Sequence, residues 1–175
     1  PGINGWEITR LIRADPNLAA IPIIMLTARV DDIDKIVGLE LGADDYVTKP
    51  HNPREVVARV KARLRSLDNN TPAQVLRVGQ LELDAGRREV KVNGRFVELT
   101  PTEFNLLHVL MEQAGYVLTR SELVSKALGA DYEGIERTLD SHMRTLRRKI
   151  EPDPKNPSYI QTVYGIGYRL DGEKT

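Results

Sequence analysis

Arginine residues recur at helical spacing between Glu133 and Ile150, and this stretch is the best candidate for chemistry in the chain. At roughly 100° per residue, one side of the predicted helix carries cationic and hydroxyl groups: Arg137, Ser141, Arg144 and Arg148. The other side is apolar: Ile135, Leu139, Met143, Leu146 and Ile150. Guanidinium groups on an exposed helix can contact DNA phosphates and base edges, as a recognition helix does. An ordinary solvated amphipathic helix has the same pattern, so both interpretations stay open here.

The composition excludes several classes of protein. The 175 residues contain 41% hydrophobic side chains, 25 basic and 25 acidic residues, and no cysteine. Without cysteine there is no disulfide framework, thiolate zinc site or cysteine nucleophile, which fits a reducing, cytoplasmic location. Because no apolar run reaches the ~20 residues that span a bilayer, no membrane association is expected.

Three kinds of function remain open: a DNA-binding regulator, an enzyme, and a protein-interaction module without DNA binding. The sequence shows no metal-ligand cluster, no glycine-rich phosphate loop and no convincing nucleophile–base pair, so an enzyme is not predicted. Accordingly, no catalytic residue, metal site or cofactor is expected in this chain. Salt-dependent binding to duplex DNA would separate the first function from the third.

The first half of the chain alternates helices and strands. Helices are predicted from Glu7 to Arg13, from Asp32 to Leu41, and from the Asn52 cap to about Leu67. Strands are predicted over Ile21–Leu26 and Tyr46–Thr48. The last helix is expected to place four side chains inside: Val56, Val57, Val60 and Leu64. This order is typical of a doubly wound α/β domain.

The second half changes class after a polar segment, 68–74, that reads as a linker. Short strands are predicted over Val75–Leu83, Glu89–Val92 and Phe96–Leu99, with a type I′ turn at Asn93-Gly94. Capping boxes begin two helices, at Thr100–Glu103 and Thr119–Glu122. After the arginine-rich helix, Tyr159–Val163 and Tyr168–Leu170 form a predicted hairpin. Small strands, three helices and a terminal hairpin indicate a winged helix-turn-helix.

Short motifs in both halves resemble the OmpR/PhoB family of bacterial two-component response regulators. In the first half they are Pro1–Gly5, Ile24–Ala28 and Gly42–Pro50; in the second, Leu99–Phe104, Glu136–His142, Leu146–Ile150 and Thr162–Tyr168. The resemblance implies an α/β fold over 1–67, the last part of a flavodoxin-like receiver, followed by an α+β winged helix-turn-helix over 75–175. It implies a sequence-specific DNA-binding transcriptional regulator of a phosphorelay.

A complete receiver of this family has five strands, and this chain is expected to contain the last two. The acidic pair and the phospho-accepting aspartate of relatives are expected before Pro1, so Mg²⁺ is expected only for a complete receiver. By resemblance, Thr27 and Lys49 contact the acyl phosphate, Tyr46 is the switch aromatic, and the Lys49–Pro50 bond is cis. Without the resemblance these are a strand-end hydroxyl, a surface lysine and a half-buried tyrosine.

The family also forms two-fold dimers through charged pairs on one receiver face. In this sequence the matching residues are Lys35, Asp44, Asp45, Glu55, Arg59 and Lys61. A solvated charged surface is the alternative interpretation.

DNA contacts are expected on the arginine-rich helix and the hairpin: Arg137, Ser141, His142, Arg144, Thr145, Arg147, Arg148, Thr162, Tyr164 and Tyr168. Thr145 and Tyr164 stand where relatives frequently carry arginine, and His142 could instead be a packing residue. The expected partners are double-stranded DNA with direct-repeat half-sites, a second copy of the chain, and RNA polymerase. A cognate sensor histidine kinase is expected for the full-length protein.

Overall fold

The computed structural model describes residues 3–28, 37–65, 74–129 and 136–172. Lys35, the first half of the helix predicted from Asp32 (residues 32–36) and nearly all of the predicted linker 68–74 lie outside these residues. Two parts are described: an N-terminal part, residues 3–65, and a C-terminal part, residues 74–172. None of the described helices combines the length and the apolar character needed to cross a lipid bilayer.

The N-terminal part contains the predicted alternation of helices and strands. Helix α1 spans Gly5–Ala14 and begins at Asn4, whose side chain accepts a hydrogen bond from Glu7 N at 2.9 Å. Strands β1 (Ile24–Thr27) and β2 (Asp45–Thr48) are parallel, and helix α2 spans Pro53–Arg65. Between the strands, residues 37–40 are helical.

The apolar side of α2 is not covered. Val57, Val60 and Leu64 are exposed, by 51%, 41% and 52%, so the prediction that they lie inside is wrong. The described sheet of this part has only two strands, which offer too little apolar surface to bury the helix. Ile8 and Leu11 on α1 are exposed as well.

The C-terminal part begins with a four-stranded antiparallel sheet in the order β3-β4-β5-β6. Its strands are β3 (Val75–Val78), β4 (Leu81–Asp84), β5 (Glu89–Val92) and β6 (Arg95–Phe96). The single strand predicted over Val75–Leu83 is therefore wrong, because Gly79, with φ of 56°, turns the chain into a hairpin. The predicted Phe96–Leu99 strand shortens to β6. Asn93 and Gly94 have φ of 52° and 75°, which confirms the type I′ turn.

Three helices and a second sheet complete the winged helix-turn-helix. The helices are α3 (Pro101–Glu112), α4 (Arg120–Leu128) and α5 (Glu136–Ile150), and both predicted capping boxes are confirmed. Strands β8 (Ile160–Val163) and β9 (Gly167–Leu170) form the predicted hairpin, called the wing below. Strand β7 (Val117–Thr119), which was not predicted from the sequence, pairs with β9 and ties the wing to the start of α4.

The apolar core lies almost entirely in the C-terminal part. The described members of the predicted apolar face of α5 are all fully buried: Leu139, Met143, Leu146 and Ile150. Helix α3 packs against both α4 and α5. Helix α5 is therefore held by its apolar side, which confirms the apolar face predicted from the helical spacing of these residues.

Candidate nucleic-acid interface

Helix α5 presents exposed cations on the side away from its buried core residues. Arg144, Arg148 and Lys149 are exposed at the residue level. Arg137 belongs to the helix, but its side chain lies outside the described residues. Ser141 is buried, so the prediction that it shares the exposed face with Arg144 is wrong for this arrangement. An exposed pair of arginines one helical turn apart can contact phosphates and base edges of one groove.

The exposed arginines of α5 meet a carboxylate of the N-terminal part. Arg144 forms an ion pair with Glu40, and Arg148 Nη1 lies 3.8 Å from the other oxygen of the same carboxylate. Both arginine side chains remain half exposed. The Glu40 carboxylate therefore pairs with Arg144 and lies close to Arg148, the two arginines that α5 exposes.

His142 and Thr145, two further predicted DNA contacts, are buried in this arrangement. Burial, together with the nearby Arg63 cation, lowers the pKa of His142 below its ordinary value, against the opposing effect of Asp44, Glu103 and Asp45. The Thr145 hydroxyl donates a hydrogen bond to the His142 carbonyl oxygen at 3.0 Å. Since neither side chain is accessible, the alternative interpretation of His142 as a packing residue agrees with the structure.

Arg147 is bound to the wing. Its Nη2 donates to Ile160 O at 2.6 Å and to Thr162 Oγ1 at 2.8 Å, and its Nε donates to the same carbonyl at 3.1 Å. A planar guanidinium with several donors suits such a bridge. Arg147 and Thr162, both predicted DNA contacts, thus bind each other in this arrangement.

Tyr168 is buried against the same helix. Its hydroxyl donates to Asp140 Oδ1 at 2.7 Å, and Arg120 Nε donates to that oxygen at 3.2 Å. Burial and the Asp140 carboxylate raise the pKa of Tyr168. These bonds connect α4, α5 and β9, so Tyr168 positions the wing. Its side chain is buried and does not form the DNA contact that was predicted from the sequence in this arrangement. By contrast, Tyr164 at the tip of the wing is 92% exposed.

A second polar contact joins the two parts of the chain at the start of α3. The Asp44 carboxylate accepts hydrogen bonds from Thr102 N and Thr102 Oγ1, at 3.0 and 2.8 Å. Arg63 Nη1 donates to Thr102 Oγ1 at 3.0 Å, and its Nη2 donates to Asp44 O at 2.7 Å. All three residues are buried. Arg13 Nη2, at 2.7 Å, neutralises the Asp44 carboxylate from the other side.

Comparison with known proteins decides the family. The model of the response regulator receiver domain matches residues 1–61, and that of the C-terminal transcriptional regulatory protein domain matches residues 94–170. The sensory transduction protein RegX3 of Mycolicibacterium smegmatis is 48% identical over 176 residues, which cover 98% of this chain and 76% of that protein. The crystal structure of DrrB, an OmpR/PhoB homologue from Thermotoga maritima, is similar with a TM-score of 0.50 and 36% identity, covering 98% of this chain and 76% of that one. The chain belongs to the OmpR/PhoB family of response regulators.

As an OmpR/PhoB response regulator, the chain is a two-component transcriptional regulator with a flavodoxin-like receiver and a winged-helix effector. The N-terminal part is accordingly called the receiver below, and the C-terminal part the effector. The effector is also similar to the DNA-binding domain of RstA from Klebsiella pneumoniae, solved in complex with the RstA box. That likeness has a TM-score of 0.51 and 30% identity, over 56% of this chain and 97% of that one.

The predicted switch residues lie at one edge of the receiver sheet. Thr27 is the last residue of β1, and Lys49 follows β2, so that Lys49 N donates to Thr27 O at 2.7 Å. Tyr46 lies in β2 and is half-buried. The Lys49–Pro50 bond is cis, as expected from the resemblance.

The predicted dimer residues make contacts within the chain. Arg59 pairs with Glu55 at 2.9 Å and with Asp45 at 3.1 Å. Asp44 and Asp45 are buried, so they do not lie on an open receiver face in this arrangement, contrary to the prediction. Lys61 is exposed, whereas Lys35 lies outside the described residues.

Proposed function

We propose that this response regulator binds a specific duplex DNA sequence through α5 and the wing. The observation that carries this proposal is the division of α5 into a fully buried apolar side and an exposed side bearing Arg144 and Arg148. Arg147 and Tyr168 also fix the wing beside α5. An ordinary solvated amphipathic helix, the alternative interpretation, would not need such a rigid neighbour. A helix of this kind enters the major groove, and its cations contact phosphates and base edges.

In this structure the receiver partly covers the exposed side of α5. Glu40 neutralises Arg144 and lies near Arg148, and the receiver also contacts the start of α3. We infer that binding to DNA requires the receiver to move away from α5, because one arginine cannot pair fully with both Glu40 and a phosphate. For the complete regulator we propose four partners: double-stranded DNA with direct-repeat half-sites, a second copy of the chain, RNA polymerase and a sensor histidine kinase.

The Thr27–Lys49 edge does not by itself fit the Mg²⁺ of a complete receiver. It offers a hydroxyl and an ammonium, whereas Mg²⁺ prefers grouped carboxylate oxygens. Among the described residues, no group of three or more His, Asp or Glu side chains is arranged to hold a metal ion. We therefore infer that the described residues by themselves do not form a site that accepts a phosphoryl group. Incubation with a small phosphodonor and Mg²⁺, followed by intact mass, tests this: one added phosphate on an aspartate contradicts the inference.

Salt-dependent DNA binding tests the main proposal. A duplex is selected from a random-sequence library with the 175-residue chain, and its Kd is measured over a series of salt concentrations. Arg144→Ala should weaken binding and reduce the salt slope by about one if Arg144 contacts a phosphate. A contact to a base edge should instead cost about 1–3 kcal/mol at one position of the site.

The matched control is Arg95→Ala. Arg95 is exposed on β6, so this change removes the same charge away from α5. If Arg144→Ala and Arg95→Ala have equal affinities and salt slopes, α5 is not the DNA-binding element. If no duplex is selected at all, the interaction-module alternative replaces DNA binding.

A further inference from the structure

His142 is a buried histidine on the side of α5 that faces the receiver. It is 2% exposed, and its Nε2 has no hydrogen-bond partner among the described residues. Thr145, one helical turn further along the same side of α5, lines a cavity of about 300 Å³ between the domains. The opposite wall of this cavity belongs to the receiver and includes Glu40 and Gly42. The receiver therefore lies against the side of α5 that carries His142, and we call this the covered arrangement.

The charged groups that act on His142 come from both domains. Arg63 of α2 and the carboxylates of Asp44 and Asp45 belong to the receiver, and Glu103 of α3 belongs to the effector. Arg63 is itself 2% exposed and takes part in the hydrogen bonds that join the domains. A positive charge on His142 would thus lie out of water and close to a buried guanidinium of the same sign, which disfavours it.

The three carboxylates near His142 are each paired with another cation. The pairs are Arg13–Asp44 at 2.7 Å, Arg59–Asp45 at 3.1 Å and Lys149–Glu103 at 2.6 Å. Helix α4 also packs against α5, but its Glu122 and Lys126 are exposed. Burial, and then the Arg63 cation, outweigh the carboxylates and lower the pKa of His142.

Protonation changes what the imidazole of His142 needs from its surroundings. A neutral imidazole donates one hydrogen bond and accepts one, whereas an imidazolium donates two. Since Nε2 has no partner in the covered arrangement, a proton there would be a buried donor without an acceptor. Water would accept this hydrogen bond if the receiver moved away from α5. The imidazolium is therefore more stable when the domains are apart.

We propose that protonation of His142 separates the receiver from α5, so that mildly acidic conditions uncover this side of the helix. Only the consequence for DNA rests on the proposed function, because the separation is a property of the chain alone. His142 has a lowered pKa when it is covered and its ordinary pKa of 6.5 when water reaches it. The covered arrangement is thus fully favoured above pH 6.5 and is lost as the pH falls. With one proton bound on opening, the ratio of separated to covered chains rises by up to about tenfold for each pH unit.

Energy transfer between two dyes measures the separation without DNA. The chain has no cysteine, so dyes attach only at Glu7→Cys on α1 and Tyr164→Cys on the wing. Both residues are exposed, one in each domain. The transfer efficiency should fall as the pH is lowered from about 7.5 to about 5.5, on either side of the ordinary pKa of histidine. The far-ultraviolet circular dichroism should stay constant, because the domains separate without unfolding.

His142→Gln in the labelled chain removes the titrating group and keeps a polar side chain of similar size. Its transfer efficiency should not change with pH. His108→Gln is the matched control, since His108 also has a buried Nε2 without a hydrogen-bond partner among the described residues but lies on α3. This control should respond to pH as the wild-type side chains do.

A histidine NMR titration of the chain with all three histidines provides a second measurement. His51→Gln and His108→Gln identify the signals of the other two histidines, so the remaining signal belongs to His142. A midpoint for His142 below pH 6.5 that coincides with the fall in energy transfer supports the proposal. A midpoint at or above pH 6.5 overturns it.

Three further results overturn the proposal: a transfer efficiency that does not depend on pH, an equal response of His142→Gln, and loss of circular dichroism over the same pH range. If the chain binds a selected duplex but its domains do not separate in acid, this inference alone fails. If the domains separate in acid but no duplex is selected, the proposed function fails and this inference stands.

Discussion

Asp44 of the receiver accepts two hydrogen bonds from Thr102, the second residue of effector helix α3, although the two residues lie 58 positions apart. A carboxylate at a helix N-terminus is favoured by the helix dipole and by the unpaired N–H groups there. The receiver thus supplies one of the first-turn partners of an effector helix. Because Asp44 is used in this way, it cannot at the same time contact a second copy of the chain.

Thr102→Val should loosen this junction. The change removes one donor to Asp44 and the acceptor of Arg63, which leaves buried polar groups short of a partner at a cost of about 1–3 kcal/mol. Denaturant unfolding measures the loss. Thr102→Ser keeps the hydroxyl and is the control; equal unfolding free energies for the valine and serine variants would show that the hydroxyl contributes nothing.

Glu40→Gln should increase DNA affinity. It removes the carboxylate that pairs with Arg144 and lies near Arg148. Since partly exposed ion pairs contribute ~0–1 kcal/mol, the expected gain is at most about fivefold in Kd. Glu7→Gln, an exposed carboxylate on α1, makes the same charge change away from α5. If both variants gain equally, net charge explains the effect and covering by Glu40 does not.

Glu55→Lys should weaken self-association if the charged receiver face forms a dimer. The new lysine lies beside Arg59, which Glu55 now neutralises. Like charges would face each other twice in a two-fold arrangement. Sedimentation at several protein concentrations gives the association constant, and Glu7→Lys controls for net charge. An unchanged association constant counts against this interface.

His142 should make stability depend on pH. Burial and Arg63 depress its pKa in the folded chain, so His142 stays neutral there while the unfolded chain binds a proton below about pH 6.5. The unfolded state then binds more protons, and the unfolding free energy falls as the pH drops through that value. The stability that comes from the lowered pKa of His142 is fully present above pH 6.5 and is lost as the pH falls below that value.

The measurement for His142 is the unfolding free energy above and below its ordinary pKa of 6.5. His142→Leu removes the titrating group while keeping an apolar side chain of similar size, so its pH dependence should be flatter than that of wild type. Carboxylates titrate in both proteins and cancel in the difference. Identical pH profiles would mean that the pKa of His142 is the same in the folded and the unfolded chain.

Arg147→Gln should free the wing from α5. Glutamine is too short to bind both Ile160 O and Thr162 Oγ1, so amide hydrogen exchange in β8 should become faster. Arg148→Gln removes an exposed cation of the same helix and should reduce the salt slope without altering exchange in the wing. If Arg147→Gln changes only the salt slope, Arg147 contacts DNA directly and does not position the wing.

The sequence by itself determined the features that depend on neighbouring residues. Leu139, Met143 and Leu146 share a face because an α-helix has 3.6 residues per turn, and the burial of all three confirms it. The capping boxes and the Asn93-Gly94 turn follow from hydrogen bonds and backbone angles within a few residues. These local rules were sufficient to predict a winged helix and the side of α5 that packs on the core.

Only the tertiary structure decided which surfaces are covered. The Glu40–Arg144 pair joins residues 104 positions apart, and the Asp44–Thr102 contact crosses from one domain to the other. No local pattern encodes such contacts, so Thr145 and Tyr168 were predicted on the DNA surface although both are buried. The opposite error occurred on α2. Val57 belongs to the apolar face of that helix and was predicted to lie inside, but it is exposed because no described element packs against it. Periodicity fixes the direction in which a side chain points, whereas its burial depends on the element that packs against it.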